Sequence, residues 1–121
     1  MAVSDSMIYE RVDFDEKLLH KICLKVAREL GTPYWVTKLL LLVAKFGPIK
    51  HDALLKHVGW HAIRIGLSRG YMVDAKIGDE PAYVLSTLGA FLISLIYEVD
   101  REAVTEFICK EVRTCSTVNE C

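Results

Sequence analysis

Apolar residues repeat every three or four positions along most of this chain, which is the pattern of helices that bury one face. In the first such segment, residues 13 to 30, the apolar positions form one broad face. Asp13 or Asp15 can accept hydrogen bonds from the first turn, and Gly31 follows the last apolar residue. The pattern therefore predicts an N-terminal helix over 13–30.

The second apolar segment is hydrophobic on almost every side. It begins after Thr32, a capping residue, and Pro33, which suits the first position of a helix because no N–H partner is needed there. It ends near Phe46, before Gly47 and Pro48. We expect this helix to lie at the centre of the core.

Two shorter amphipathic segments follow, residues 50 to 58 and 60 to 69, separated by Gly59. Two helices of this length joined through a glycine are typical of a tight helix-turn-helix unit. In the second segment Ile63 and Leu67 are four residues apart, so we expect both to face the core. The outward face is expected to carry His61, Arg64, Ile65 and Ser68.

A hairpin comes next in the pattern. Residues 71 to 75 and 82 to 85 are rich in strand-forming side chains and flank a turn that contains Gly, Asp and Pro. Ser86 or Thr87 can cap the helix that follows. The sequence therefore predicts a mainly α protein with a small β-hairpin.

The last helical pattern is the longest. From residue 88 the apolar positions stay in step for more than five turns. We expect one helix over 88–113 and a tail over 114–121. The alternative is that Asp100 caps a second, separate helix.

Composition favours one compact domain over residues 1–121, since 52% of the 121 residues are hydrophobic and 26% are charged. Fifteen Lys and Arg against sixteen Asp and Glu give a formal net charge of −1, which excludes a uniformly basic, histone-like protein. The first residues lack the pattern of a secretory signal, and no apolar run reaches the ~20 residues that cross a bilayer. We expect a soluble, cytoplasmic protein with no membrane partner.

The four cysteines do not have the spacing of a zinc site, because Cys109, Cys115 and Cys121 lie six residues apart. We expect Cys23 and Cys109 to be buried thiols, with a structural disulfide as the alternative. The sequence also lacks the Ser, Cys and Gly-rich motifs typical of enzymes. No catalytic residue, metal ligand or cofactor is therefore assigned.

The order of helix, two short helices and hairpin resembles a winged helix-turn-helix, with the module over 33–89 and flanking N- and C-terminal helices. Two stretches carry the resemblance. Leu67-Ser-Arg-Gly-Tyr-Met-Val73 is similar to the end of a recognition helix that enters the first wing strand. Tyr83-Val-Leu-Ser-Thr-Leu-Gly89 is similar to the "Y-x-L-T-x-x-G" stretch of small bacterial and archaeal regulators.

The resemblance implies binding of double-stranded DNA by a homodimeric transcriptional regulator. The helix over 60–69 would enter the major groove, where the base-contacting candidates are His61, Arg64, Ile65 and Ser68. Phosphate contacts would come from Lys50, His51, Lys56, Arg69 and Lys76. One small domain cannot cover every apolar residue of the last helix, so we expect a dimer interface at Leu92, Ile96, Val99 and Phe107.

The hairpin departs from the family pattern, because its tip carries Asp79 and Glu80 and its only cation is Lys76. Between residues 47 and 89 there are five Lys and Arg against four acids. Few phosphate contacts give weak DNA binding, so a DNA-binding function requires the dimer. The alternative is a winged-helix module that binds another protein and not DNA.

Overall fold

A computed structural model of the chain describes residues 13–109, which form six helices and three short strands. In chain order the elements are α1 (Glu16–Leu30), α2 (Tyr34–Phe46), β1 (Ile49–Lys50), α3 (His51–Val58), α4 (Trp60–Ser68), β2 (Met72–Ile77), β3 (Glu80–Leu85), α5 (Thr87–Val99) and α6 (Arg101–Cys109). The protein is mainly α-helical with a small antiparallel sheet of three strands. This arrangement is compatible with a winged-helix fold.

The starts of the first two helices differ slightly from the capping pattern. Helix α1 begins after the second of its two candidate caps, and α2 begins one residue later than predicted. Asp15 caps α1, since its side chain accepts a hydrogen bond from the N–H of Leu18 at 3.0 Å. Pro33 is the residue before α2 and not its first residue, and Thr32 makes no capping bond there. The helix is held instead by the core that surrounds it.

Helix α2 forms the centre of the core, as its apolar sequence predicts. Seven of its thirteen residues are buried, and α1, α4, α5 and α6 all pack against it. Burial of apolar surface on this scale is the main favourable term in folding a domain of this size. The other elements are therefore positioned largely by how each one packs on α2.

The sheet has the order β1-β3-β2, and β1 is absent from the sequence prediction. Ile49 pairs with Tyr83 and Lys50 with Ala82, so the residue expected to begin α3 belongs to a strand. The hairpin is tighter than predicted, because Ile77 pairs with Glu80 across a two-residue turn. Both strands of the hairpin extend to that turn.

Helix α5 begins at the end of the stretch 83–89. Ser86 caps it by accepting a hydrogen bond from the N–H of Gly89 at 2.9 Å, and its hydroxyl donates to the carbonyl of Gly70. A Cβ atom at Gly89 would collide with the backbone carbonyl of Tyr71. The serine and the glycine of that stretch therefore join the start of α5 to the chain that leaves α4.

The expectation of one helix over 88–113 is wrong within the described residues, because the chain breaks at Asp100. The backbone there has φ −157° and ψ 85°, outside the helical region. The Asp100 carboxylate accepts a hydrogen bond from the N–H of Ala103 at 3.1 Å and forms an ion pair with Lys25 at 3.3 Å. This second capping site starts α6 in a new direction, so that α6 packs on α1 and α2.

We expect Asp100→Ala to lower the free energy of unfolding by about 1 kcal/mol at pH 7, because the cap of α6 is lost. The Ala103 N–H, followed by the Lys25 ammonium, holds the pKa of Asp100 below its ordinary value of 3.8. A lowered pKa stabilises the fold above the unfolded value, and this contribution disappears as pH falls through the folded value. Urea unfolding at pH 7 and at acidic pH measures the difference.

The control for this prediction is Asp100→Asn, which keeps a capping oxygen and removes the charge. We expect it to lose less stability than Asp100→Ala at pH 7. The difference in the free energy of unfolding between the wild type and Asp100→Ala should become smaller below pH 3.8. An equal gap at both pH values would show that the carboxylate charge contributes nothing to the break between α5 and α6.

Two of the predicted dimer residues are wrong because they lie inside this chain. Ile96 is 2% exposed and Phe107 is 1% exposed, and both belong to the core of the single chain. Leu92 and Val99 are half-buried against the same core. The turn at Asp100 folds α6 onto α1 and α2, which buries Phe107, while α5 packs on α2 and places Ile96 beside Val36 and Leu40.

Both cysteines among the described residues are free thiols. Cys23 is buried, as predicted, and burial raises the pKa of its thiol to about 12. Cys109 is exposed at the end of α6, so its predicted burial is wrong. Cys115, Cys121 and the predicted tail lie outside the described residues. No helix between residues 13 and 109 has the length and apolar character to cross a membrane.

Candidate nucleic-acid interface

Helix α4 has one buried face and one exposed face; of the two residues predicted to face the core, Ile63 is buried and Leu67 is half-buried. Ala62, Ile63 and Gly66 are buried against the body of the protein. On the other side His61, Arg64 and Ser68 are exposed, and Ile65 is half-buried. The four predicted base-contacting residues therefore share the outer face of one helix.

Arg64 is the strongest candidate for contact with a base on this face. It forms no ion pair with Asp79 or with any other residue between 13 and 109. A free guanidinium can donate two hydrogen bonds to one guanine, and this geometry distinguishes guanine from the other bases in the major groove. The outer face thus presents one cation able to recognise a base.

Three of the five predicted phosphate contacts are exposed cations. Lys56 lies on α3, Arg69 follows the last residue of α4, and Lys76 lies on β2. Lys50 differs, since its ammonium lies 3.6 Å from the Glu80 carboxylate and its side chain is 20% exposed. That pairing neutralises Lys50 and makes it a poor phosphate ligand.

His51 is also held by the protein itself. Its Nδ1 atom lies 2.7 Å from the Tyr83 hydroxyl, which joins the first turn of α3 to β3. Burial, and then the charge of Asp74, raises the pKa of Tyr83, so the phenol keeps its proton and can donate it to Nδ1. His51 therefore positions α3 on the sheet, and only its Nε2 side is left for a ligand.

Trp60 is a surface residue that the sequence pattern does not single out. It is the first residue of α4 and is 58% exposed, and its ring meets the edge of the His51 ring at 6.2 Å between centroids. A large exposed aromatic beside polar groups is typical of binding surfaces. The signal in the sequence is its position directly after Gly59, whose φ of 86° ends α3 and starts α4 afresh.

The hairpin contributes more negative than positive charge to this surface. Asp79 and Glu80 are exposed at its tip, and Lys76 is exposed beside them. Val73 and Ile77 on β2 are also exposed, by 45% and 36%. The hairpin therefore combines an acidic tip with apolar side chains, which differs from a strongly basic wing.

Comparisons with protein-family models, curated proteins and solved structures find no match to this chain. Within residues 13–109 no three His, Cys, Asp or Glu side chains come together as metal ligands would. The functional assignment therefore depends on the geometry and chemistry of the chain itself.

Proposed function

We propose that the chain is a winged helix-turn-helix protein that binds double-stranded DNA sequence-specifically as a homodimer and regulates transcription. The observation that carries the proposal is the division of α4: its inner face is buried, while its outer face presents an unpaired Arg64 with exposed His61 and Ser68. A helix with this division can enter the major groove without disturbing the core.

Exposed cations on neighbouring segments support the same proposal. Lys56 lies on the preceding helix and Arg69 follows the last residue of α4; both are exposed and would contact phosphates. With Lys50 paired to Glu80, each subunit offers few such contacts. Because phosphate contacts supply much of the affinity for DNA, two subunits must bind together.

The dimer would form through an apolar stripe on α5, defined by Leu88, Phe91 and Leu95. These residues are 44%, 57% and 42% exposed and lie on one side of the helix. A cleft of about 230 Å³ beside the stripe is lined by Leu30, Leu92 and Leu95 among others, so the apolar surface extends beyond α5. A second copy of the chain would cover the stripe.

We expect Arg64→Ala to weaken binding to a selected duplex by about 10-fold to 100-fold, because a bidentate contact contributes about 1–3 kcal/mol of discrimination. Binding to random duplex should change much less. The measurement is a gel shift on a site obtained by selection from random DNA, at fixed salt. Selected sites for Arg64→Ala should show a relaxed preference at one position of each half-site.

Arg28→Ala is the matched control, since it removes the same charge from an exposed position on α1. It should leave both affinity and preference unchanged. If Arg64→Ala behaves like this control, α4 is not the element that contacts bases. No retention of any duplex at low salt and micromolar protein would overturn the DNA-binding proposal altogether.

The second candidate function is a winged-helix module that binds another protein. The observation in its favour is the hairpin, where Glu80 neutralises Lys50 and where Val73 and Ile77 are exposed. Apolar side chains next to acids suit a protein surface better than a phosphate backbone. Retention of duplex that disappears as salt rises favours DNA, and absence of retention favours this module.

A further inference from the structure

A cleft of about 480 Å³ lies where α1, α2 and α3 meet, and the proposed DNA-binding face does not use it. Clefts of this size hold small organic ligands. Phe14 and Leu19 supply apolar wall. Its polar side chains are Glu16, Lys17, His20, Tyr34, Lys38 and His57.

Lys38 is a half-buried cation without a counter-ion. It forms no ion pair or hydrogen bond with any residue between 13 and 109. Lys25, Lys45 and Lys50 on neighbouring elements each have an anionic or carbonyl partner. Because partial burial of an unpaired charge is unfavourable, Lys38 is a group that an anion entering the cleft would stabilise.

His20 supplies a hydrogen-bond donor to the same cleft. The His20 Nδ1 atom lies 2.6 Å from the Tyr34 hydroxyl. When that hydroxyl donates to Nδ1, the other ring nitrogen carries the imidazole hydrogen and remains free to donate to a ligand. The pair therefore joins α1 to α2 and leaves an N–H group at the cleft.

His57 forms the third side, with its ring edge on Phe14 at 4.9 Å between centroids. Burial and then the charge of Lys38 lower the pKa of His57, while Glu16 and Asp13 act in the opposite direction. The imidazole is thus neutral at pH 7 and can donate one hydrogen bond. Among the described residues, Glu16 is the acid that lines the cleft and Asp13 lies close enough to act on His57, against the cations Lys17 and Lys38.

From this arrangement we infer that the cleft binds a small oxyanion with two or more negative charges, either a phosphate or a carboxylate compound. Lys38 would pair with the anion at the inner end, and Lys17 would add a second charge at the rim. His20 and His57 would donate hydrogen bonds from opposite walls. The ligand site is separate from the outer face of α4 and goes beyond the proposed function.

The test follows the ring protons of the four histidines by NMR at pH 7 as the full chain is titrated with inorganic phosphate or with citrate. Sodium chloride at matched ionic strength is the reference. His20 and His57 line the cleft, while His51 and His61 lie outside it and serve as internal controls. We expect saturable shifts of His20 and His57 only, with a dissociation constant of about 1 mM or tighter for one of the two anions.

Lys38→Gln should weaken this binding at least about 10-fold, because the central charge-assisted contact is lost. Lys17 lies on the surface, so Lys17→Gln should weaken anion binding about threefold without affecting folding. Lys21→Gln is the control, since it removes the same charge from an exposed position of α1 outside the cleft. It should leave the titration unchanged.

Saturation with citrate alone would assign carboxylate ligands, and saturation with phosphate alone would assign phosphate compounds. Shifts that never saturate, that chloride reproduces, or that Lys21→Gln reduces as much as Lys17→Gln would overturn the inference. Shifts centred on His51 and His61 would do the same, because they would place the anion at the proposed DNA-binding face. A chain that fails to bind DNA can still show the expected shifts, so the two proposals fail independently.

Discussion

Phe107→Ala is expected to lower the free energy of unfolding by about 3–5 kcal/mol, the range for truncating a fully buried aromatic side chain. Phe107 is 1% exposed and contacts the Phe14 ring at 6.0 Å between centroids. The Lys45 ammonium lies 5.5 Å from its ring centroid and donates to its backbone carbonyl at 2.8 Å. The substitution would remove the ring that anchors α6 to the body, and urea unfolding measures the loss.

Phe107→Leu is the matched control, because it keeps an apolar side chain of substantial volume in the same place. We expect it to lose less than half as much stability. The loss for Phe107→Ala should be independent of protein concentration, since the residue is buried within one chain. A loss that disappears in dilute protein would instead place Phe107 at an interface between two copies.

Local signals in the sequence predict most of the helices correctly. Apolar spacing alone identifies the inner and outer faces of α4, because three or four residues per turn determine which side chains share a side. Gly31 and Gly59 end α1 and α3 with positive φ angles, which other residues adopt rarely. These features depend on neighbours within a few residues, so a single sequence contains them.

The break at Asp100 shows what local periodicity cannot predict. The apolar spacing continues unchanged on both sides of Asp100, so it fits one long helix as well as two helices. The presence of a capping residue does not decide between them, because the bond from the Ala103 N–H forms only once the chain turns. The partner that favours the turn is Lys25, which lies 75 residues earlier. Burial of Phe107 follows from that turn, so its assignment to a dimer interface fails for the same reason.

The proposed DNA-binding surface also has one part that the sequence predicts and one part that it does not. The face of α4 follows from spacing, whereas the partners of Lys50 and His51 depend on how β1 and the hairpin pair. Register places Lys50 beside Ala82 and brings Glu80 within reach of its ammonium. Nothing near Lys50 in the sequence identifies these contacts, because β1 is only two residues long.

The largest functional effect is expected from Phe91→Glu, which places a charge in the centre of the apolar stripe on α5. Phe91 is 57% exposed, so the single chain should keep its stability while the dimer dissociates, because a buried, unpaired carboxylate at an interface is strongly unfavourable. Affinity for a two-half-site duplex should then fall about 100-fold or more, since the second subunit no longer binds at high effective concentration. Sedimentation analysis and gel shift measure the two effects.

Ala90→Glu provides the matched control, because the adjacent residue is exposed and lies away from Leu88 and Leu95 around the helix. It should leave both the oligomeric state and the affinity unchanged. A Phe91→Glu protein that remains dimeric would place the interface on another surface. A wild-type chain that is monomeric at the concentrations where it binds duplex would contradict the dimer itself, since few phosphate contacts per subunit would then have to suffice for binding.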